Sequence, residues 1–228
     1  MPALTARVRS NTRATPTTRL LTIDAPAQPF EYKAGQWARV GVNAAGARPY
    51  SIASAPSEAP EKGIQFLVRA DGSGVELAAL RRGAVVHVEG PHGRFCLPDE
   101  FFTWPDALFV AGGTGIAPIR AMLVEALRRP LHPACRLVYS ARNSDEFAFL
   151  RELRQPARSG AIRLALTATR EAHSRWKGLS TRVNRPLLET ILDTPDTHAF
   201  ICGPEGFVTD VRRALEHLGV RRIRTEEQ

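Results

Sequence analysis

The sequence predicts two folded units in series: an N-terminal antiparallel β-barrel over residues 1–102, then an α/β unit with a doubly wound parallel sheet over residues 103–228. Three observations carry this. Up to about residue 100, short runs rich in β-branched and aromatic residues are broken by Gly, Pro, Asn and Asp, the rhythm of an all-β unit. Beyond Trp104-Pro105-Asp106 the rhythm becomes apolar strand followed by amphipathic helix. At the first such step, Ala111-Gly112-Gly113-Thr114-Gly115-Ile116-Ala117-Pro118 joins an apolar run to a periodic helix, the strand-loop-helix arrangement of a phosphate cradle.

In chain order, strands are predicted at residues 6–10, 18–24, 37–42, 48–53, 64–69 and 85–89, and six at this spacing suggest a closed barrel. A short helix fits residues 75–80, bounded by Gly72 and Gly74 before it and Gly83 after it. In the second half, strands are expected at residues 107–110, 135–139, 162–167 and 199–201. Helices are expected at 116–128, 146–153, 186–192 and 206–218. Pro118 suits a first helical turn, where no N–H is needed.

Composition narrows the classes. With 228 residues, 43% of them hydrophobic and 24% charged, the chain can bury a sizeable core. It has no long uncharged apolar run, and its N-terminus lacks the basic-then-apolar pattern of a secretory signal. A cytoplasmic location is therefore expected, with no membrane partner. Cys96, Cys135 and Cys202 are too few and too scattered for a metal cluster or a disulfide framework. His87 and His92 flank Gly90-Pro91 without a partner cysteine pair, so no metal is implied. The net charge of +8 comes almost wholly from arginine, lysine occurring only at Lys33, Lys62 and Lys177. Those arginines are not interleaved with aromatics in a nucleic-acid pattern, which favours anionic cofactors and an acidic protein partner over DNA or RNA.

Arg48-Pro49-Tyr50-Ser51-Ile52-Ala53-Ser54 puts a cation, a flat aromatic and a hydroxyl on one extended segment. It reads as a site in which Arg48 neutralises a pyrophosphate, Tyr50 lies along a planar ring and Ser51 donates to a ring nitrogen. It also reads as an ordinary strand with a buried tyrosine. The loop at Gly112–Pro118, whose Gly-x-Gly-x-x-Pro ending departs from the dinucleotide fingerprint, has the same two readings: a nucleotide cradle or a tight turn without a ligand.

Companions in order decide between them. Gly35-Gln36-Trp37 precedes the arginine segment, Gly72-Ser73-Gly74-Val75 opens the short helix, and Gly90-Pro91-His92-Gly93-Arg94-Phe95 closes the barrel. Cys202-Gly203-Pro204-Glu205-Gly206-Phe207 follows the last apolar strand. With these motifs, which span essentially its whole length, the chain resembles the ferredoxin-NADP reductase family. That resemblance implies an FAD-dependent NAD(P)H oxidoreductase passing electrons to a ferredoxin, flavodoxin or oxygenase-type acceptor. A non-autonomous flavin-binding relay or regulatory subunit of a larger complex is the alternative.

The resemblance also implies roles. Arg48, Pro49, Tyr50 and Ser51 would bind FAD, with Ser51 near flavin N5, and the Gly72, Ser73, Gly74, Val75 backbone would hold its diphosphate. Gly113, Thr114 and Gly115 would hold the diphosphate of NADP or NAD. Cys202, followed by Gly203 and Pro204, would lie beside the nicotinamide ring. Thr169 and Arg170 would grip a 2′-phosphate, with Arg175 as a second cation and Trp176 as a stacking face for adenine. Glu226 matches an acidic position that joins a proton path, so Ser51, Cys202 and Glu226 are the expected catalytic residues. Two positions depart from the family: Gly74 stands where a serine or threonine is usual, and Gln228 stands where a terminal aromatic covers the flavin.

Overall fold

The first sheet closes on itself around an apolar interior. In the computed structural model, which describes residues 4–26, 30–171 and 176–227, the backbone divides into two units. One runs to Leu97 and takes in Arg120–Glu125; the other holds Pro98–Ile119 and the chain from Ala126 onward. The first contains β1 (Leu4–Arg13), β2 (Thr18–Ile23), β3 (Trp37–Gly41), β4 (Arg48–Ser51), β5 (Ile64–Arg69) and β6 (Val85–His92). They pair in the order β4-β3-β6-β1-β2-β5, every neighbouring pair antiparallel. The ends of this row meet just past β4, where Ile52 bridges to Phe66 and the Ala53 N–H donates to the Gln65 carbonyl at 2.8 Å. Closure removes the free edges and gives the predicted six-stranded barrel.

The ten-residue β1 is long because it serves two partners. Its first half pairs with β6 and its second with β2, across a bulge between Val8 and Ser10. Val8, Leu21, Ile23, Val40, Phe66 and Val88 point inward and are almost completely buried, each worth about 1.5–3 kcal/mol of apolar burial. Two short helices decorate the barrel, α1 (Ala59–Lys62) and α2 (Val75–Ala78), the second entered through a 3-10 turn at Gly72–Gly74. Asn11 satisfies the open end of α2: its Nδ2 donates to the carbonyls of Leu77, Ala78 and Leu80 at 3.0, 3.2 and 2.9 Å.

The second unit alternates strand and helix: β7 (Asp106–Gly112), α3 (Ile116–Leu127), β8 (Ala134–Ala141), α4 (Leu150–Arg158), β9 (Ile162–Ala168), α5 (Arg185–Ile191), β10 (His198–Gly203), α6 (Glu205–His217) and β11 (Arg222–Glu227). The order is β11-β10-β7-β8-β9, all parallel. All seven residues of β7 are buried, as befits a central parallel strand covered on both faces. From β7 the chain builds to one side through β8 and β9, then returns to the other side with β10 and β11. The reversal lies between β7 and β10, and in such sheets the ligand crevice opens outside the carboxyl ends of those strands.

Two elements differ from expectation. The helix predicted at residues 146–153 starts later, as α4, after a 3-10 turn at Ser144–Glu146. Phe147 and Ala148 are instead an inward step: Phe147 meets Tyr139 edge-on at 5.0 Å, the Ala148 N–H donates to the Tyr139 hydroxyl at 3.1 Å, and Phe149 is left-handed with φ 59°. The tail, for which no strand is predicted, forms β11. Arg222, Arg224, Glu226 and Glu227 leave no apolar run to read, yet such charges suit an edge strand that must not pair with another chain.

Candidate functional site

Each unit carries a Gly-Ser/Thr-Gly turn of the same conformation. At the carboxyl end of β7, Gly113 has φ +56°, and nothing lies within 4 Å of where its Cβ would stand. Two residues on, a Cβ at Gly115 would meet the Cys202 carbonyl oxygen at 2.2 Å and the Gly203 nitrogen at 2.7 Å. The Phe207 ring covers Gly112 and Gly203, with would-be Cβ contacts of 2.8 and 2.7 Å. The ends of β7 and β10 are thus packed backbone to backbone at the reversal, and only glycine permits it. Pro204 is exposed and caps the start of α6.

The barrel repeats the device. Gly72 also has φ +56° with open space around it, while a Cβ at Gly74 would stand 2.2 Å from the Arg69 carbonyl oxygen. The strand leading into this turn is held by Arg69, whose Nε and Nη2 donate to the two Asp71 carboxylate oxygens at 2.8 and 2.7 Å. An open first glycine, an immovable third and a helix start with its N–H groups forward is a shape that fits a diphosphate. It also accounts for the missing hydroxyl residue at position 74: this backbone has no room for a side chain there.

On β4, Arg48 and Pro49 are exposed while Tyr50 and Ser51 are half-buried. Tyr50 stands opposite Ala38, and Ser51 opposite Trp37. Burial pushes the Tyr50 hydroxyl up from its ordinary value, against the opposing pull of Arg48. The loop after β4 is fixed by groups the sequence did not single out. Tyr32 sets its hydroxyl 3.0 Å from the Ser54 hydroxyl and 3.1 Å from the Ser54 carbonyl, and burial raises it to about 12. Glu58 accepts from the Ala55 N–H at 3.1 Å, from Lys62 at 2.7 Å and from both Arg120 terminal nitrogens at 2.6 and 3.1 Å. Arg120 Nη1 also donates to the Ala53 carbonyl at 2.9 Å. Burial alone would raise the Glu58 carboxyl, but Arg120, Lys62 and the Ala55 N–H outweigh it and lower it to about 2. No local sequence pattern announces this cluster, because Glu58 and Arg120 lie 62 positions apart.

Cys202 is fully buried and stands opposite Glu226 in the β10–β11 ladder. Burial first, then the Glu226 charge, push its thiol up; the Gly203 N–H opposes them. The Glu226 carboxyl is likewise raised by burial. A thiol held neutral is no nucleophile; it offers a small polarizable surface.

Thr169-Arg170-Glu171 is pinned to the loop that follows β8. The Thr169 N–H donates to the Ala141 carbonyl at 2.9 Å and the Arg170 N–H to the Arg142 carbonyl at 2.7 Å, while Glu171 accepts from the Ser144 N–H at 2.6 Å. This brings Arg142, a cation the sequence did not single out, beside Arg170; both are exposed. Arg175 lies outside the described residues, as does Gln228. Trp176 stacks on Phe147 with ring centroids 5.4 Å apart at 15°, and its indole N–H donates to the Leu179 carbonyl at 2.9 Å. One of its faces is therefore spent on a protein neighbour.

Comparison with known proteins agrees with this division. Residues 5–96 match the model of the oxidoreductase FAD-binding domain, and residues 109–213 that of the oxidoreductase NAD-binding domain. The chain is 35% identical over 205 residues to ferredoxin–NADP reductase B of Sorangium cellulosum, covering 85% of this chain and 83% of that protein. It is 28% identical over 201 residues to sulfhydrogenase 1 subunit gamma of Pyrococcus furiosus, covering 86% and 67%. Its fold matches a crystal structure of a ferredoxin NADP+ reductase from Neisseria gonorrhoeae with bound FAD and NADP, at a TM-score of 0.85, 21% identity and coverage of 100% and 99%. Among the described residues, no helix is long and apolar enough to cross a membrane. A barrel matching an FAD-binding model, followed by a parallel sheet matching an NAD-binding model, places this chain in the ferredoxin–NADP reductase family of flavin-dependent NAD(P)H oxidoreductases.

Proposed function

We propose that this chain takes electrons from NADPH and delivers them through FAD to a separate ferredoxin, flavodoxin or oxygenase-type protein. We take residues 1–102 as the FAD-binding part and residues 103–228 as the nucleotide-binding part. The observation that carries the reading is the pair of matching glycine turns, one in each unit, each open at its first glycine and locked at its third. The chemistry that bound FAD and NADPH supply is hydride transfer and onward electron delivery. The protein's work is to bind, orient and hold protons.

In this reading Arg48 neutralises the flavin diphosphate, Tyr50 lies along the ring system, and the Ser51 hydroxyl donates to the ring edge. Pro49 keeps the segment extended between them. Gly72, Ser73, Gly74 and Val75 offer backbone N–H groups to the flavin diphosphate; Gly113, Thr114 and Gly115 do the same for the nicotinamide nucleotide. Cys202 gives the nicotinamide a neutral thiol to rest against, and the Gly203-Pro204 step leaves room beside it. The Glu226 carboxyl, raised by burial, takes up a proton near that surface more readily than a free glutamate does. Arg170, with Arg142 beside it and Thr169 on its other flank, recognises a 2′-phosphate, which favours NADPH over NADH. Three free cysteines suit a reducing cytoplasm.

The absorbance spectrum of the purified chain tests this directly. A bound flavin bleached by NADPH, and more slowly by NADH, is expected; a colourless protein would refute the reading. The likeness to a sulfhydrogenase subunit favours a second reading, a relay subunit within a larger complex. Ferricyanide turnover by the isolated chain separates the two, since a relay subunit would hold flavin that nicotinamide fails to bleach.

A further inference from the structure

The amino ends of β10 and β11 lie at the opposite edge of the parallel sheet from Cys202 and Gly203. There His198 pairs with Arg222 and Phe200 with Arg224. Because side chains alternate along strands, these four share one face. Trp104 stacks flat on His198, ring centroids 3.4 Å apart at 15°, and lies 6.3 Å from the Phe200 ring. Beside this aromatic wall opens a pocket of about 270 Å³ whose lining includes Glu100, Trp104, His198, Arg221, Arg222 and Arg224.

Charge in this pocket is out of balance. Three guanidinium groups face it with one carboxylate. Among the described residues, no ion pair involves Arg221, Arg222 or Arg224. Arg222 is anchored instead through the Asp196 carbonyl, to which its Nη1 donates at 3.2 Å. The same unit treats its buried arginine differently: Arg136 is neutralised by Asp106 and Asp193. Like charges side by side on one strand repel, and the group that would relieve them is an anion.

We propose that this pocket is a second ligand site, which takes a small molecule bearing a diphosphate, clamped by Arg222 and Arg224 with Arg221 at the mouth and its organic part against Trp104. Guanidinium forks suit phosphate oxygens in pairs. Arg222 and Arg224 sit two residues apart on a strand, about 6.7 Å along it, a span from which two long side chains converge on adjacent phosphoryl groups. The pocket is smaller than the roughly 300–1,000 Å³ of sites for drug-sized ligands, so the diphosphate it takes carries only a small organic part. The inference does not rest on the flavin reading, because the pocket lies at the amino ends of β10 and β11 while the glycine turn of Gly113–Gly115 lies at the carboxyl end of β7, across the same parallel sheet.

His198 supplies the reporter. It faces Arg222 and Arg224 of β11, Asp106 of β7 and Glu100 of the turn before it; burial first, then the two arginines, hold its imidazole below the ordinary value, against the two carboxylates. An anion seated among the arginines cancels their effect, so the imidazole titrates higher. The experiment is a titration of the full chain with inorganic pyrophosphate, followed by NMR of the His198 ring, with sodium chloride of matched ionic strength as control. A saturable shift and a raised His198 midpoint are expected with pyrophosphate and not with chloride. Apparent affinity should fall at least tenfold in R222A/R224A and at least threefold in Arg221→Glu, a single change at an exposed position should the double variant fail to fold. An unmoved midpoint, the same shift with chloride, or unchanged affinity in the arginine variants would overturn the proposal; the last would place pyrophosphate elsewhere, as at a glycine turn.

Discussion

Cys202 and Glu226 face each other across the β10–β11 ladder, a buried thiol opposite a half-buried carboxyl, and after burial itself the Glu226 charge is what makes the thiol harder to ionise. The Glu226 carboxyl is raised by burial, so between its ordinary value and its folded value the native state binds more protons than the unfolded chain. Stability therefore falls as pH rises through that window and the loss is complete above it. Glu226→Gln removes the ionisation and should raise the melting temperature at neutral pH by a few degrees. Near pH 3.5, where a glutamate is mostly protonated in either state, the variant and the parent should melt alike. A melting curve at each pH checks this, and equal melting at pH 7 would refute it.

Cys202→Ala keeps the volume small but removes the polarizable sulfur. In the proposed role it slows flavin reduction by NADPH about tenfold, or about 1.4 kcal/mol of barrier, with little change in nucleotide affinity. Stopped-flow reduction measured across NADPH concentrations separates rate from binding. A rate near that of the parent would remove Cys202 from the hydride path.

The locked glycines should tolerate nothing larger. Gly115→Ala drives a methyl to 2.2 Å from the Cys202 carbonyl, and Gly74→Ser drives its Cβ to 2.2 Å from the Arg69 carbonyl. Both obstacles are backbone, so each substitution should cost about 1–3 kcal/mol of stability. Chemical denaturation reads that cost. Flavin content falls in Gly74→Ser, and NADPH affinity falls in Gly115→Ala. Full stability in both would mean that the turns are slack.

Arg170→Ala should weaken NADPH binding roughly tenfold, the size of one lost charge-assisted contact of about 1.5 kcal/mol, and leave NADH binding unchanged. Paired titrations with the two nucleotides decide it. Equal losses would show that Arg170 does not read the 2′-phosphate.

Glu58 gives the barrel an acid limit. Its carboxyl, lowered to about 2 by Arg120, Lys62 and the Ala55 N–H against the burial that would raise it, contributes stability that is present above its ordinary value of 4.5 and lost as pH falls through about 2. Glu58→Gln leaves Arg120 buried without its counter-charge and should cost about 3 kcal/mol at pH 7. The difference from the parent should shrink in acid. Urea midpoints between pH 7 and pH 2 would show it, and a gap that does not narrow would refute the assignment.

How far the sequence reached depended on the range of each interaction. Barrel strands were legible because short β-branched and aromatic runs broken by Gly, Pro, Asn and Asp are a local signal, and segments such as those holding Ile23 and Val40 carry it. The glycine turns were legible as turns. Their partners were not, since nothing beside Gly115 in the chain says that the end of β10 will lie against it. Phe147 and Ala148 read as helix because inward-facing apolar residues look alike in a helix and in an extended step. β11 was missed because four of its six residues are charged and Ile223 is its single aliphatic residue, too little for an apolar pattern. The Glu58–Arg120 pair and the meeting of Arg142 with Arg170 depend on tertiary closure, and no motif marks them.

The three thiols live in different surroundings, and that has a practical use. Cys135 is buried and raised to about 12, chiefly by that burial; Cys202 is buried more deeply still. Only Cys96 is partly open to solvent. A maleimide dye added at neutral pH to the folded protein therefore attaches at one place, and the native chain offers a spectroscopist a single labelling handle on the barrel without any mutagenesis.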